Sequence, residues 1–123
     1  MKILSTFLIG LVALEHVYIM ILEMFLWRTD RGRRAFGLTR DFAEASRGLA
    51  ANQGLYNGFL AAGLTWGLTH PEPAMACQLQ LFFLGCVLTA GIFGGITVAR
   101  KIFLIQGIPA ALALAAVMFT QAG

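Results

Sequence analysis

The stretch EHVYIMILEMFLWR, residues 15–28, decides how the chain is read. It is apolar enough to lie in lipid, yet it carries Glu15, His16 and Glu23, side chains that a bilayer interior admits only at a cost. On a helix advancing about 100° per residue, Glu23 falls about 80° and His16 about 100° from Glu15, so the three share one face.

Outward from this stretch the whole chain has the same character. Of its 123 residues, 59% are hydrophobic and 12% charged, with a mean hydropathy of +0.78; a soluble domain is about one quarter charged. Four apolar runs, at about 3–27, 49–68, 74–97 and 102–120, each approach the ~20 residues that cross a ~30 Å hydrocarbon core as helix. The runs are continuous rather than alternating, which excludes transmembrane strands. The expectation is an all-α integral membrane bundle of four transmembrane helices, about 3–27, 42–68, 74–97 and 102–120, in one domain over 1–123. The first run holds two carboxylates and no small-x-small cleavage site, so it reads as a retained span rather than a secretory signal.

Orientation follows from the basic residues. The connection at 28–48 holds Arg28, Arg31, Arg33, Arg34, Arg40 and Arg47, and that after the third run holds Arg100 and Lys101. The THPEP connection at 69–73 holds neither Lys nor Arg. The positive-inside rule makes both basic loops cytoplasmic and places the two termini outside, in a multi-pass protein of the cell inner (plasma) membrane; Lys2 is the exception. Asp30, Asp41 and Glu44 offset three of the six loop arginines, leaving a formal charge of +3 that suits anionic lipid and needs no nucleic-acid partner. Asp41 with Glu44 three residues on resembles an N-cap and its partner, so helix two is expected to begin near residue 42. Pro71 and Pro73 separate helices two and three.

The intramembrane polar residues suggest a pocket. Helix two opens with Asn52, Gln53, Tyr56 and Asn57 in one sector about 140° wide, and helix four offers Gln106 one turn in. By depth these meet Glu23 in the cytoplasmic half, with His16 deeper and Glu15 near the midplane. Amides alone can serve as glue between helices, contributing about 0.6–2 kcal/mol per bond. An acidic group at a helix centre costs about 2.5–3.5 kcal/mol, which neutral glue avoids, so Glu15, His16 and Glu23 are expected to work, as a proton relay or as acid and base. Adjacent Glu15 and His16 cannot both face one ion, and no H-x-x-x-H, E-x-x-H or C-x-x-C pattern occurs, so neither a metal nor a cofactor is expected. Cys77 and Cys86 lie on different faces of helix three and read as core residues, His70 as a solvated loop residue. Gly54/Gly58 and Gly91/Gly95 form GxxxG pairs through which a homodimer could pack. Trp27 and Trp66 mark the two interfaces.

On EHVYIMILEMFLW and NQGLYNGFLAAGL, the chain resembles, over almost its whole length, a widespread family of small four-helix integral membrane proteins of unknown function. That resemblance implies fold and location, not activity. In architecture alone the chain is similar to small multidrug resistance transporters, which also place a Glu midway along the first of four helices. Their other helix motifs are missing here, and the arginine bias argues against dual topology. Three classes of function follow: proton-coupled transport of a small molecule or ion, an intramembrane acid/base enzyme acting on a lipophilic substrate, and a non-catalytic assembly protein in contact with membrane lipid.

Overall fold

The structure, a computed structural model, describes residues 1–122, and these are all-helical apart from their connections. In chain order come α1 (Lys2–Met24), α2 (Asp30–Phe36), α3 (Arg40–Thr69), α4 (Pro73–Thr97), a π-helical turn (Phe103–Gly107) and α5 (Ile108–Ala122). Three helices are long and apolar enough to cross a membrane: Lys2–Met24, Pro73–Thr97 and Phe103–Ala122. The 30-residue α3 is not among them, because its first half carries Arg40, Asp41, Glu44, Arg47, Asn52 and Gln53.

Several boundaries differ from expectation, each for a local reason. Helix one ends at Met24 rather than near 27, and Phe25–Thr29 form a turn in which Thr29 Oγ1 donates to the Leu26 carbonyl. The arginine-rich connection contains α2, capped at its start by Thr29, which accepts from the Gly32 amide, and closed by Gly37 in the left-handed region at φ 66°. Only a residue without a Cβ takes that conformation freely. Helix two begins at Arg40, and Thr39, not Asp41, accepts from the Phe42 amide. In helix four, Pro109 offers no N–H to the preceding turn and its ring crowds the carbonyl four residues back. The backbone widens by one residue instead, and the Ile108 amide donates to the Phe103 carbonyl.

The chain forms two compact units, Met1–Ala13 with the chain from Leu60 onward, and Leu14–Phe59. The first unit has a core of Ile9, Val12, Ala13, Leu64, Leu84, Val87, Ala110, Ala113 and Val117, with Leu81, Phe83 and Leu114 packed against it. Its outer surface is apolar: Phe93, Ile96, Leu104 and Phe119 are all exposed, as befits side chains that face acyl chains rather than water.

Glycine brings backbones together in both units. A Cβ on Gly91 of α4 would stand 2.6 Å from the Gly107 nitrogen and 2.9 Å from its Cα, so the π turn lies directly on α4. Gly95 is covered by the Phe103 ring. In the second unit, Gly54 faces Met24, Glu23 and the Met20 carbonyl, and Gly58 faces the Met20 sulfur. The Gly54/Gly58 and Gly91/Gly95 pairs thus each take part in close packing within one chain.

These contacts predict a graded response to added methyl groups. Gly91→Ala must push neighbouring backbones apart and should cost about 2–3 kcal/mol, the upper range of overpacking. Gly58→Ala meets only the end of a flexible methionine and gains about 0.5–1 kcal/mol of helix preference, so it should be close to neutral. Thermal unfolding in detergent ranks the two, and equal melting points would contradict the close approach at Gly91.

Candidate functional site

Within the second unit, the inward faces of α1 and α3 are set by small and apolar residues. Leu22 and Glu23 on α1, and Ala43, Ala50, Gly54 and Asn57 on α3, are buried, the α3 residues recurring at spacings of seven, four and three that define one helical stripe. Glu23 is only 3% exposed and His16 fully buried. Seven residues apart, these two lie almost in line along α1, about 10 Å from one another along its axis. Glu15 sits at the flank of this line, half-buried, and its Oε1 is enclosed without a hydrogen-bond partner. Buried polar atoms left in this condition mark either a bound water or a working group.

One polar contact closes the site. Asn57 Nδ2 donates to Glu23 Oε1 at 2.5 Å, and both side chains are buried. A single neutral donor holds the carboxyl without cancelling its charge, which leaves the group able to take up or release a proton. Beside it opens a cleft of about 460 Å³ lined by Glu23, Met24, Phe25, Trp27, Arg28, Thr29, Arg47, Gly48 and Ala51. Trp27 is fixed from behind, its Nε1 donating to Ser46 Oγ at 3.0 Å and its ring centroid 4.9 Å from that of Phe36. At the rim, Arg28 Nη1 donates to Glu44 Oε2 at 2.8 Å. This hydrogen bond, with the charges of Arg28 and Arg47, holds the exposed Glu44 carboxyl below the usual range.

The expected polar sector on α3 is only partly inward. Asn57 is buried, but Asn52, Gln53 and Tyr56 are exposed, Tyr56 at 58%. These three do not share the buried face of Asn57. The face that packs is the one carrying Gly54, Asn57 and Ala61, because small side chains let helices approach and larger polar ones keep to the other side. Gln106 lies half-buried on the π turn of the first unit. Among the described residues no group of three or more His, Cys, Asp or Glu could hold a metal ion.

A second feature escaped the sequence. In the first unit, Lys2, Ser5, His70, Gln80, Thr120 and Gln121 contribute to a cleft of about 280 Å³. Gln80 Nε2 donates to the Gly67 carbonyl, and His70 Nδ1 accepts from the Glu72 amide within the exposed turn. Ser5 and Thr120 could have been noticed as polar residues near helix ends, but nothing in their spacing points to one cleft.

Helices of this length and apolarity, with a lipophilic exterior, define a small helical membrane protein. The family model described as "Protein of unknown function (DUF1304)" matches residues 10–118, and the chain belongs to that family. It is also 36% identical over 121 residues, 97% of this chain and 100% of the relative, to "Uncharacterized protein YpaA" of Lactococcus lactis subsp. lactis (strain IL1403). No solved structure matches the chain.

Two outcomes test the site. Asn57→Leu leaves a buried carboxyl without its donor and should cost about 2 kcal/mol, whereas Glu23→Leu with Asn57→Leu should recover most of that loss; a double-mutant cycle in detergent reads the difference, and additive losses would show the bond to be idle. For Glu44, a lowered folded-state value means that the stability it adds is present at neutral pH and fades as pH falls through the carboxylate range. Wild type should therefore melt above Glu44→Gln at pH 7 and converge with it under acid conditions, and a gap that widens on acidification would reverse the sign.

Proposed function

We propose that this chain is a four-span protein of the cell inner membrane in which Glu23 exchanges protons during coupled transport of a small molecule. The observation that carries the reading is the Glu23 carboxyl itself, buried against Asn57 and yet forming a portion of the wall of an open cleft. A purely structural contact has no need of an acid or of access, and a buried ionisable group in a membrane span is by default a working one. His16 and Glu15, farther along α1, supply the next positions for a proton, with water bridging the intervals. As the fourth span, α3 contributes residues from about 49 to 69, a length of about 30 Å that matches the hydrocarbon core. The arginines of residues 28–47 and Arg100 with Lys101 set the cytoplasmic side, and the THPEP turn lies outside.

The apolar wall of Met24, Phe25 and Trp27 beside a carboxyl also favours a second reading, an acid/base enzyme that admits a lipophilic substrate from the cytoplasmic leaflet. One variant separates the readings. Glu23→Gln keeps an acceptor for Asn57 and should fold normally. Proteoliposomes loaded with a pH-sensitive dye and given a pH step should dissipate it faster with wild type than with Glu23→Gln. Equal rates would remove the transport reading, and chemical conversion of lipid by the purified wild type alone would establish the enzyme.

A further inference from the structure

We infer that the cleft beside Glu23 binds an amphipathic anion, with an acidic headgroup on Arg28 and Arg47 and an apolar chain along Met24, Phe25 and Trp27. This rests on Glu23 being the working group of the cleft and names the class of molecule brought to it.

The lining divides by chemistry. Arg28 and Arg47 are the cationic residues of the wall, and Met24, Phe25 and Trp27 are its apolar ones. Glu44, which is not a lining residue, meets Arg28 at 2.8 Å and Arg47 at 3.9 Å. One exposed carboxylate therefore serves two guanidiniums, and the rim keeps an excess of positive charge. An exposed ion pair exchanges partners at little cost. A carboxylate or phosphate headgroup can replace Glu44 in the same geometry, since the planar guanidinium binds both kinds of oxyanion through paired donors.

The remainder of the wall selects for a chain. Trp27, braced by Ser46 and Phe36, presents a rigid surface that needs no ordering on binding. Gly48 and Ala51 on α3 leave the opposite side free of bulk. The volume of about 460 Å³ lies within the ~300–1,000 Å³ typical of ligand sites. Glu23, the acid of the same wall, is buried and held by Asn57, whereas both arginines are exposed, so the rim repels an amphipathic cation; a small hydrophilic solute would leave the apolar wall exposed. The acidic headgroup could belong to a phospholipid of the leaflet or to a free single-chain amphiphile.

Trp27 provides the readout. In a Trp66→Phe background, where Trp27 is the remaining indole, the full chain in maltoside micelles is titrated with dodecyl phosphate, dodecanoate and dodecyltrimethylammonium while fluorescence is followed. Both anions should saturate and the cation should not. Arg47→Gln should weaken the anions about tenfold, and Glu44→Gln, which frees both guanidiniums, should strengthen them. Arg28→Gln should behave as Arg47→Gln, but Arg47 is the safer variant because its contact with Glu44 is the longer one. Bound phosphorus that copurifies with wild type and is lost in Arg47→Gln identifies a leaflet phospholipid as the source; unchanged phosphorus with saturable titration identifies a free amphiphile. Equal responses to anion and cation, or wild-type affinity in Arg47→Gln, overturn the inference. Anions that fail to bind while wild type still dissipates the pH step would remove this ligand class and leave the role of Glu23 intact, and binding without proton movement would do the reverse.

Discussion

A carboxyl taken out of water must find a donor, and Glu23 finds it only because α3 presents glycine where α1 passes. The Gly54 position is bounded by Glu23 Cβ, the Met24 side chain and the Met20 carbonyl, so no larger residue fits without a shift. That approach brings Asn57, three residues farther on, within reach of Glu23. Close packing and polar satisfaction are thus a single arrangement: weaken the first and the second is lost. The choice of an amide is equally consequential. A lysine or arginine at position 57 would fix the charge of Glu23, whereas asparagine satisfies one oxygen and leaves the protonation of the group open.

The same molecule shows the opposite solution at its surface. Glu44 meets Arg28 in water, where the pair is screened and the Coulomb gain is small. Charge compensation is placed at the exposed rim, and a neutral hydrogen bond is used in the interior. The two carboxyls therefore differ in setting: Glu44 stays ionised through the physiological range, and Glu23 is buried beside the cleft with a neutral partner.

Much of this was legible in the sequence, and what was not has identifiable causes. Runs of apolar residues located α1, α4 and the last helix to within a few residues, because length and hydropathy act without regard to partners. The common face of His16 and Glu23 also followed, since a seven-residue interval fixes their relative angle. A helical wheel gives relative angles only. Which sector of α3 turns inward depends on how closely another helix can come, and there Gly54, Ala50 and Ala61 outweighed the more conspicuous Asn52, Gln53 and Tyr56. Thr29 and Gly37 are a readable start and stop for α2, but seven residues rich in arginine have the composition of a solvated loop. Thr39 lay one position before the helix and took the capping role assigned to Asp41, which is already inside it. The π turn had its signal in Pro109, but a proline there is equally compatible with a kink.

The exposed amides carry a constraint of their own. In hydrocarbon each would lack a partner, and no lipid chain can supply one. If α3 crosses the membrane as the proposed fourth span with Thr69 at one face, counting back about 20 residues places Asn52, Gln53 and Tyr56 within the first two turns of the opposite face, where headgroups and water still reach and tyrosine is favoured. The ten or so residues before them, with Arg40, Asp41, Glu44 and Arg47, then extend α3 beyond the core into water. On the four-span reading proposed above, α3 falls short of a spanning helix by apolarity because the third that carries its charges is not required to be apolar, and its exposed polar face would set the depth at which Glu23 and its cleft meet the membrane surface.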